Sequence, residues 1–250
     1  LFVPGSDLRL AARYQAAESW LGTGGDWFDA FRIARGGAAV VIGDVAGHDG
    51  RAAAGMASLR GALRGLAMSG DATPSDVLGR LDATLCRLRP GVLATVLYGQ
   101  LRPSSEGLAE LRWCNAGHLP PLLLDSDGST TSLDSVGDLL LGTGMTLPRT
   151  NLSMTVPHDS TLMLFTDGLV ETRTGDLDAG VDRLRRAAAP LAAHDVADLC
   201  DLLVPAMVGA TARDDVALLA VRPSRYQPRE VAASTDGDDG RHRSTGGRRR

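Results

Sequence analysis

The runs VLATVLYGQL (residues 92–101) and LAELRWCN (residues 108–115) are apolar or alternating, and only RPSSEG separates them. So short a link joins two strands as an antiparallel hairpin, because a parallel pair needs a crossover of about a dozen residues or more. Upstream, residues 8–17 alternate loosely and are expected as a first strand. GTGGDWFDAFRI follows, and then an apolar strand over residues 38–42. Met56, Leu59, Leu63 and Leu66 draw a helical stripe along residues 52–68. Thr73 and Pro74 read as the N-cap and first-turn proline of a second helix carrying Leu78, Leu81, Leu85 and Leu88. Beyond the hairpin, short strands are expected at residues 121–124, 152–156 and 161–165. Residues 178–192 and 195–208 have helical spacing, and residues 215–221 form a final buried strand. Strands, two helices, many strands, two helices and one strand predict an α+β sandwich rather than a doubly wound parallel sheet. No internal repeat is visible.

At 250 residues and 44% hydrophobic composition, the chain can bury a substantial core as one large domain or two small ones. No apolar run approaches the roughly 20 residues of a membrane-spanning helix, so no membrane insertion is expected. The start, LFVPGSDLRL, has neither a signal-peptide pattern nor an initiator methionine, which is expected of a piece of a longer protein. Cys86, Cys114 and Cys200 are far apart and odd in number. They read as buried thiols in a reducing, cytoplasmic setting. All 26 basic residues are arginine, and the net charge is −4. Eight of those 26 arginines but only four of the 30 acids lie from Arg222 onward, so the preceding residues carry a net −8. An acidic body argues against nucleic-acid binding and suits a protein that concentrates cations.

Acidic residues recur at the edges of the apolar strands. Asp44, His48 and Asp49 lie in VVIGDVAGHDG, Asp26 and Asp29 in GGDWFDAF, Asp167 in LMLFTDGLVE, and Asp214 and Asp215 in ARDDVALLAV. Asp44 and Asp167 are placed just after a strand, and the Asp214 pair just before one. Aspartate and glycine are ordinary turn formers, so any one of these stretches could be only a turn. If the strand ends meet, however, up to four carboxylates converge, and unpaired they would repel one another at considerable cost. With no lysine in the chain, the economical partner is a hard divalent cation, and oxygen-only ligands point to Mg²⁺ or Mn²⁺. Glycines 25, 43, 47 and 168 would let backbone approach an ion or its waters.

In this order and spacing, GGDWFD, IGDVAGHDGRAA, NAGHLPPLLL, LMLFTDGLVE and RDDVALL resemble the metal-dependent protein phosphatases of the PP2C superfamily, and most closely its bacterial SpoIIE/RsbU-like branch. The resemblance implies a β-sandwich of two antiparallel sheets flanked by helices, in α-β-β-α layers, over residues 1–222. Residues 223–250, low in apolar content, are expected to be a disordered tail. It also implies a binuclear Mn²⁺ or Mg²⁺ centre. Asp44 matches the aspartate that bridges both ions, and the Val45 carbonyl would add a ligand. Asp167 and Asp214 match direct carboxylate ligands, and Asp26 an acidic position that acts through metal-bound water. Asp29 and Asp215 are expected behind these.

Two such ions supply a water activated near neutral pH, which attacks phosphorus in line with no phosphoenzyme. The implied substrates are phosphoserine and phosphothreonine proteins, typically a STAS-domain anti-sigma-factor antagonist, with a sensor domain upstream. Here Asp49 stands where many relatives have glycine, and is read as facing solvent. The arginine that contacts substrate phosphate in eukaryotic relatives has no counterpart before GGDWFD, so phosphate binding is expected to rest largely on the metals. His48 and His118 are read as structural rather than general acids, His158, His194 and His242 as surface residues, and Trp27 and Phe28 as core or pocket wall. A haloacid-dehalogenase-type nucleophile would need a second Asp two residues on, whereas the positions flanking Asp167 at that distance are Phe165 and Leu169. A catalytically inactive scaffold of the same fold is the remaining alternative.

Overall fold

The computed structural model describes residues 8–17, 24–34, 37–47, 49–104, 108–133, 137–171, 176–208, 212 and 214–223. His48, His242 and the tail from residue 224 lie outside the described residues. In chain order come β1 (Leu8–Gln15), β2 (Trp27–Arg32), β3 (Ala38–Val45), α1 (Gly50–Met68), α2 (Pro74–Leu88), β4 (Ala94–Pro103) and β5 (Ala109–Ala116). Then follow β6 (Leu122–Leu124), β7 (Thr130–Ser132), β8 (Leu152–Val156), β9 (Thr161–Phe165), α3 (Asp167–Val170), α4 (Leu177–Ala188), α5 (Val196–Val208) and β10 (Val216–Pro223). The expected hairpin is present as β4 and β5, in register from Val96 opposite Ala116 to Pro103 opposite Ala109.

The strands form two five-stranded antiparallel sheets, ordered β1-β10-β9-β6-β7 and β2-β3-β4-β5-β8. Val40, Ile42, Leu97, Leu111, Leu162, Leu164 and Leu219 fill the space between the sheets. Each fully buried aliphatic side chain of this kind contributes about 2 kcal/mol. The outer face of the second sheet packs on α1 and α2 through Val41, Tyr98, Leu59, Leu63, Leu78 and Leu81. The outer face of the first packs on α4 and α5 through Phe165, Leu218, Leu184, Leu199 and Leu203. Helices therefore cover both faces of a sandwich, the layering expected from the sequence. The inner strands β3, β9 and β10 are buried almost throughout because each sheet has a core on both sides, whereas the outer strands β1, β7 and β8 keep exposed or half-buried positions.

Details depart from the periodicity. Trp27–Arg32 is a regular strand that its short mixed sequence did not reveal, and β7 and the single-turn α3 were likewise unexpected. In α1 the buried stripe is Ala52, Gly55, Leu59, Leu63 and Ala67, with Met56 only at its margin. Small residues supply three of those five positions because the helix lies close against its neighbours. In α2, Leu88 is 71% exposed where burial was expected. Thr73 does cap this helix, in a reciprocal box with Asp76. β10 runs to Pro223, one residue past the expected domain boundary. No helix among the described residues is long and apolar enough to cross a membrane.

Candidate metal centre

Antiparallel pairing brings the acidic residues together. In β2 and β3, Trp27 pairs with Gly43, so Asp26, one residue before β2, comes beside Asp44. Asp44 is not in a turn. It is the penultimate residue of β3 and pairs with Thr95. In the other sheet Phe165 pairs with Leu218, and the Thr166 amide donates to the Ala217 carbonyl at 3.1 Å. The chain therefore leaves β9 at Asp167 where it enters β10 after Asp214 and Asp215. Asp26 and Asp44 end one sheet, Asp167 and Asp214 the other, and all four lie at one edge of the sandwich.

Their electrostatics confirm the proximity. Burial pushes the Asp26 carboxyl up to about 9. The Thr166 hydroxyl opposes that rise, and the charges of Asp44, Asp167 and Asp214 add to it. Burial, then Asp167, raise Asp44 to about 6, although Asp26 hydrogen-bonds to it. Asp167 is raised by burial and by Asp214. Such mutual elevation marks carboxylates held close without a counter-charge. Asp26 Oδ2 is buried and has no hydrogen-bond partner among the described residues.

The residues fit a hard cation on three counts. The donors are all oxygens, one buried carboxylate oxygen is orphaned, and the backbone is cleared for close approach. A methyl group on Gly25 would fall on the Val45 carbonyl oxygen and lie 2.9 Å from Asp44 Oδ1. A methyl group on Gly168 would fall on the Asp215 carbonyl oxygen. Asp44, Val45, Asp167, Asp214 and Asp26 thus lie at the same edge of the sandwich. Among the described residues, no three His, Cys, Asp or Glu side chains are disposed to hold one ion by themselves. Waters would complete the shell of Mg²⁺ or Mn²⁺, which shed theirs reluctantly.

The remaining sequence candidates separate by role. Asp29 lies well within β2 and is 2% exposed, and it serves an ion pair rather than the centre. Arg64 grips it through Nε at 2.9 Å and Nη2 at 2.7 Å. Asp215 is buried and accepts from the Ala17 amide at 2.9 Å, and burial together with its charge raises the Tyr14 phenol that bonds it. Asp49 is exposed and caps α1, accepting from the amides of Arg51 at 2.9 Å and Ala52 at 3.0 Å. Asp49→Asn is therefore expected to leave stability nearly unchanged, and Asp49→Ala to cost about 1 kcal/mol in chemical denaturation, with metal affinity unaltered in both. A loss of metal binding in either variant would move Asp49 into the centre.

His118 is buried and bonds at both ring nitrogens, Nδ1 to Thr95 Oγ1 at 2.8 Å and Nε2 to the Phe165 carbonyl at 3.2 Å. A carbonyl only accepts, so Nε2 carries the proton and Nδ1 accepts from the threonine hydroxyl. Burial lowers its pKa to about 4. The neutral ring clamps β4 to the end of β9, tying the two sheets together beside Asp44 and Asp167. The Asn115 side chain closes the turn before it, accepting from the His118 amide and donating to its carbonyl, both at 2.8 Å. The expectation of a structural role fits this geometry.

Two cavities border the cluster. One, of about 210 Å³, is lined by Asp44, Thr95, His118, Leu119, Pro120 and Asp167 among others. The other is a groove of about 410 Å³ between α1 and the start of β2, reached by Tyr14, Asp26, Phe28, Met56 and Arg60. Trp27 is 3% exposed and belongs to the core, whereas Phe28 is half-buried and faces the groove. Arg60 was not singled out in the sequence. Its one visible signal is its place on the polar side of α1, four residues before Arg64. His194 is exposed as expected, but His158 is half-buried with Nδ1 unpartnered. Cys114 and Cys200 are buried free thiols, and Cys86 is only half-buried.

Residues 34–224 match the family described as Stage II sporulation protein E (SpoIIE). The chain is 34% identical to a structure of the RsbU and RsbW domains of a Mycobacterium tuberculosis protein, with a TM-score of 0.80. That match covers 90% of this chain and 63% of the other. A structure of the PP2C phosphatase domain of Bacillus subtilis SpoIIE, with a fragment of its regulatory domain, matches at 17% identity and TM-score 0.73. It is covered to 64%, with 88% of this chain. The catalytic domain of the serine/threonine phosphatase PstP, in complex with two manganese ions, matches at 17% identity and TM-score 0.61, covering 86% of this chain and 97% of that one. The sandwich is that of PP2C phosphatase domains.

Proposed function

This chain belongs to the SpoIIE family, and we propose that it is a metal-dependent phosphoprotein phosphatase acting on phosphoserine or phosphothreonine. The observation that carries the proposal is the set of four aspartates at one edge of the sandwich, of which Asp26, Asp44 and Asp167 are raised in pKa by burial and by the charges of the others. Asp44, Asp167, Asp214 and the Val45 carbonyl would hold a pair of Mn²⁺ or Mg²⁺ ions, with Asp26 acting through their waters. When bound, the ions supply an activated water and neutralise the phosphoryl oxygens. The chain's own part is geometric. The β2–β3 and β9–β10 pairings hold the carboxylates apart at fixed spacing, and the His118 clamp keeps the two sheet ends from separating.

The substrate in this proposal is a STAS-domain anti-sigma-factor antagonist, with an upstream sensor domain setting activity. Support comes from the 34% identical relative, which carries an RsbU and an RsbW domain in one protein. A cytoplasmic location belongs to the same proposal. The second reading, a catalytically inactive scaffold, draws on one observation, that no three acidic or imidazole side chains among the described residues enclose an ion unaided.

Chelation separates the two. Hydrolysis of a phosphoserine peptide is expected to fall to background in EDTA and to return on adding Mn²⁺, because carboxylate–water sites bind these ions weakly. Full activity after exhaustive chelation would overturn the mechanism. Absence of turnover at saturating Mn²⁺ would favour the scaffold.

A further inference from the structure

We infer that Arg60 grips the phosphoryl group of the substrate in the groove beside the acidic cluster; the inference rests on the phosphatase reading and deepens it. The groove of about 410 Å³ is lined by both Arg60 and Asp26, so it adjoins the cluster. Of the described residues lining the two cavities at the cluster, Arg60 alone is cationic.

The charge count around Asp29 explains why this guanidinium is available. Arg60 and Arg64 are one helical turn apart, and both reach the buried Asp29 carboxylate. Arg64 takes it in a two-pronged bond, with its guanidinium 4.9 Å from the centre of the Phe31 ring. Arg60 makes a single long contact, Nε to Oδ2 at 3.4 Å. One carboxylate cannot neutralise two guanidinium groups, so about one positive charge is left on the Arg60 side. The Arg60 side chain is 50% exposed, and its two Nη groups make no hydrogen bond among the described residues. A half-anchored guanidinium with its outer nitrogens free is suited to two adjacent oxygens of a phosphate. Phe28 and Met56 add an apolar wall beside it, against which residues flanking a phosphoserine would lie.

Arg60→Ala and Arg60→Lys test this, since position 60 is on the polar side of a helix where alanine is favoured. With Mn²⁺ and a phosphoserine peptide, Arg60→Ala is expected to raise KM about tenfold or more while kcat stays within about threefold, because the contact is made in ground and transition states alike. Inhibition by inorganic phosphate should weaken in parallel, Arg60→Lys should recover part of the loss, and calorimetric Mn²⁺ affinity should not change. Equilibrium binding of the unphosphorylated peptide and of a phosphopeptide analogue with a non-hydrolysable phosphonate to Mg²⁺-loaded protein provides a measure that needs no turnover. If the analogue binds in an Arg60-dependent way while the phosphoserine peptide is not hydrolysed, the phosphatase reading falls and the role of Arg60 stands. If Arg60→Ala leaves KM and phosphopeptide affinity at wild-type values, the role is overturned whatever the turnover. A wild-type protein that neither binds nor hydrolyses the peptide overturns both.

Discussion

Asparagine at position 44 is expected to lower turnover by a factor of about a thousand and to weaken Mn²⁺ binding severely, while leaving the metal-free fold intact or more stable. The side chains of Asp and Asn have nearly the same size, and Asp44 lies inside β3, where its pairing with Thr95 is made by backbone. The substitution therefore changes charge and little else. In the metal-free protein that charge is a liability, since burial and Asp167 already raise the carboxyl to about 6. Removing it relieves repulsion within the cluster, so the melting temperature in EDTA should rise. In the proposed metal-loaded protein the same charge would help to hold the cations, and asparagine could not supply it. Asp167→Asn and Asp214→Asn should change in the same directions. Calorimetry with Mn²⁺, phosphoserine-peptide hydrolysis and thermal melts in EDTA would read all three effects. Near-wild-type turnover in the Asp44 variant would remove it from the centre.

The second large effect is a pH dependence of stability to which buried groups contribute with opposite signs. His118 is held neutral, its pKa lowered to about 4 by burial. An unfolded chain protonates this ring near pH 6.5, so the unfolded state binds the extra proton first. Its contribution, roughly 3 kcal/mol, is complete above that value and is lost as pH falls from about 6.5 towards 4. Asp44 and Asp26 act the other way. Their folded values, about 6 and about 9, lie above those of the unfolded chain. The metal-free protein therefore loses stability as pH rises from about 4, where an unfolded aspartate ionises, towards about 9, because ionising the cluster costs more in the fold than in the open chain. Between about pH 4 and 6 the two aspartates outweigh His118, so the melting temperature in EDTA should fall across that range, level off near pH 6 and fall again above about 6.5. Saturating Mn²⁺ should reduce the fall by holding the carboxylates ionised. His118→Gln should lower stability above about pH 6.5 and steepen the fall between about pH 4 and 6. An unchanged slope in that variant would rule out His118 as the opposing group.

Much of this was open to inspection in the chain itself. The β4–β5 hairpin followed from six intervening residues, the first two helices from leucine spacing and a Thr-Pro start, and the sandwich from the order of elements. The recurrence of aspartates at strand edges with glycine nearby was visible too, and the family resemblance singled out Asp26, Asp44, Asp167 and Asp214 among them. These features are local, because periodicity and turn chemistry are written within a few residues of one another.

What the sequence left open depends on pairing between distant segments. Asp44 and Asp49 looked alike in one acidic loop, yet one ends a strand facing three other carboxylates and the other caps a helix. The register of β3 against β4 and the start of α1 make that difference. Asp29 resembled Asp26 three residues earlier, but alternation along β2 turns it to the opposite face, towards Arg64 on α1. His118 acquired its tautomer only from a carbonyl in the other sheet, and Arg60 its spare charge only because Arg64 had already taken Asp29. Composition and spacing determined which residue types were available and which elements they would form. The tertiary structure alone decided which of them would meet, since charge repulsion, hydrogen-bond partnership and burial are properties of neighbours brought together from far along the chain.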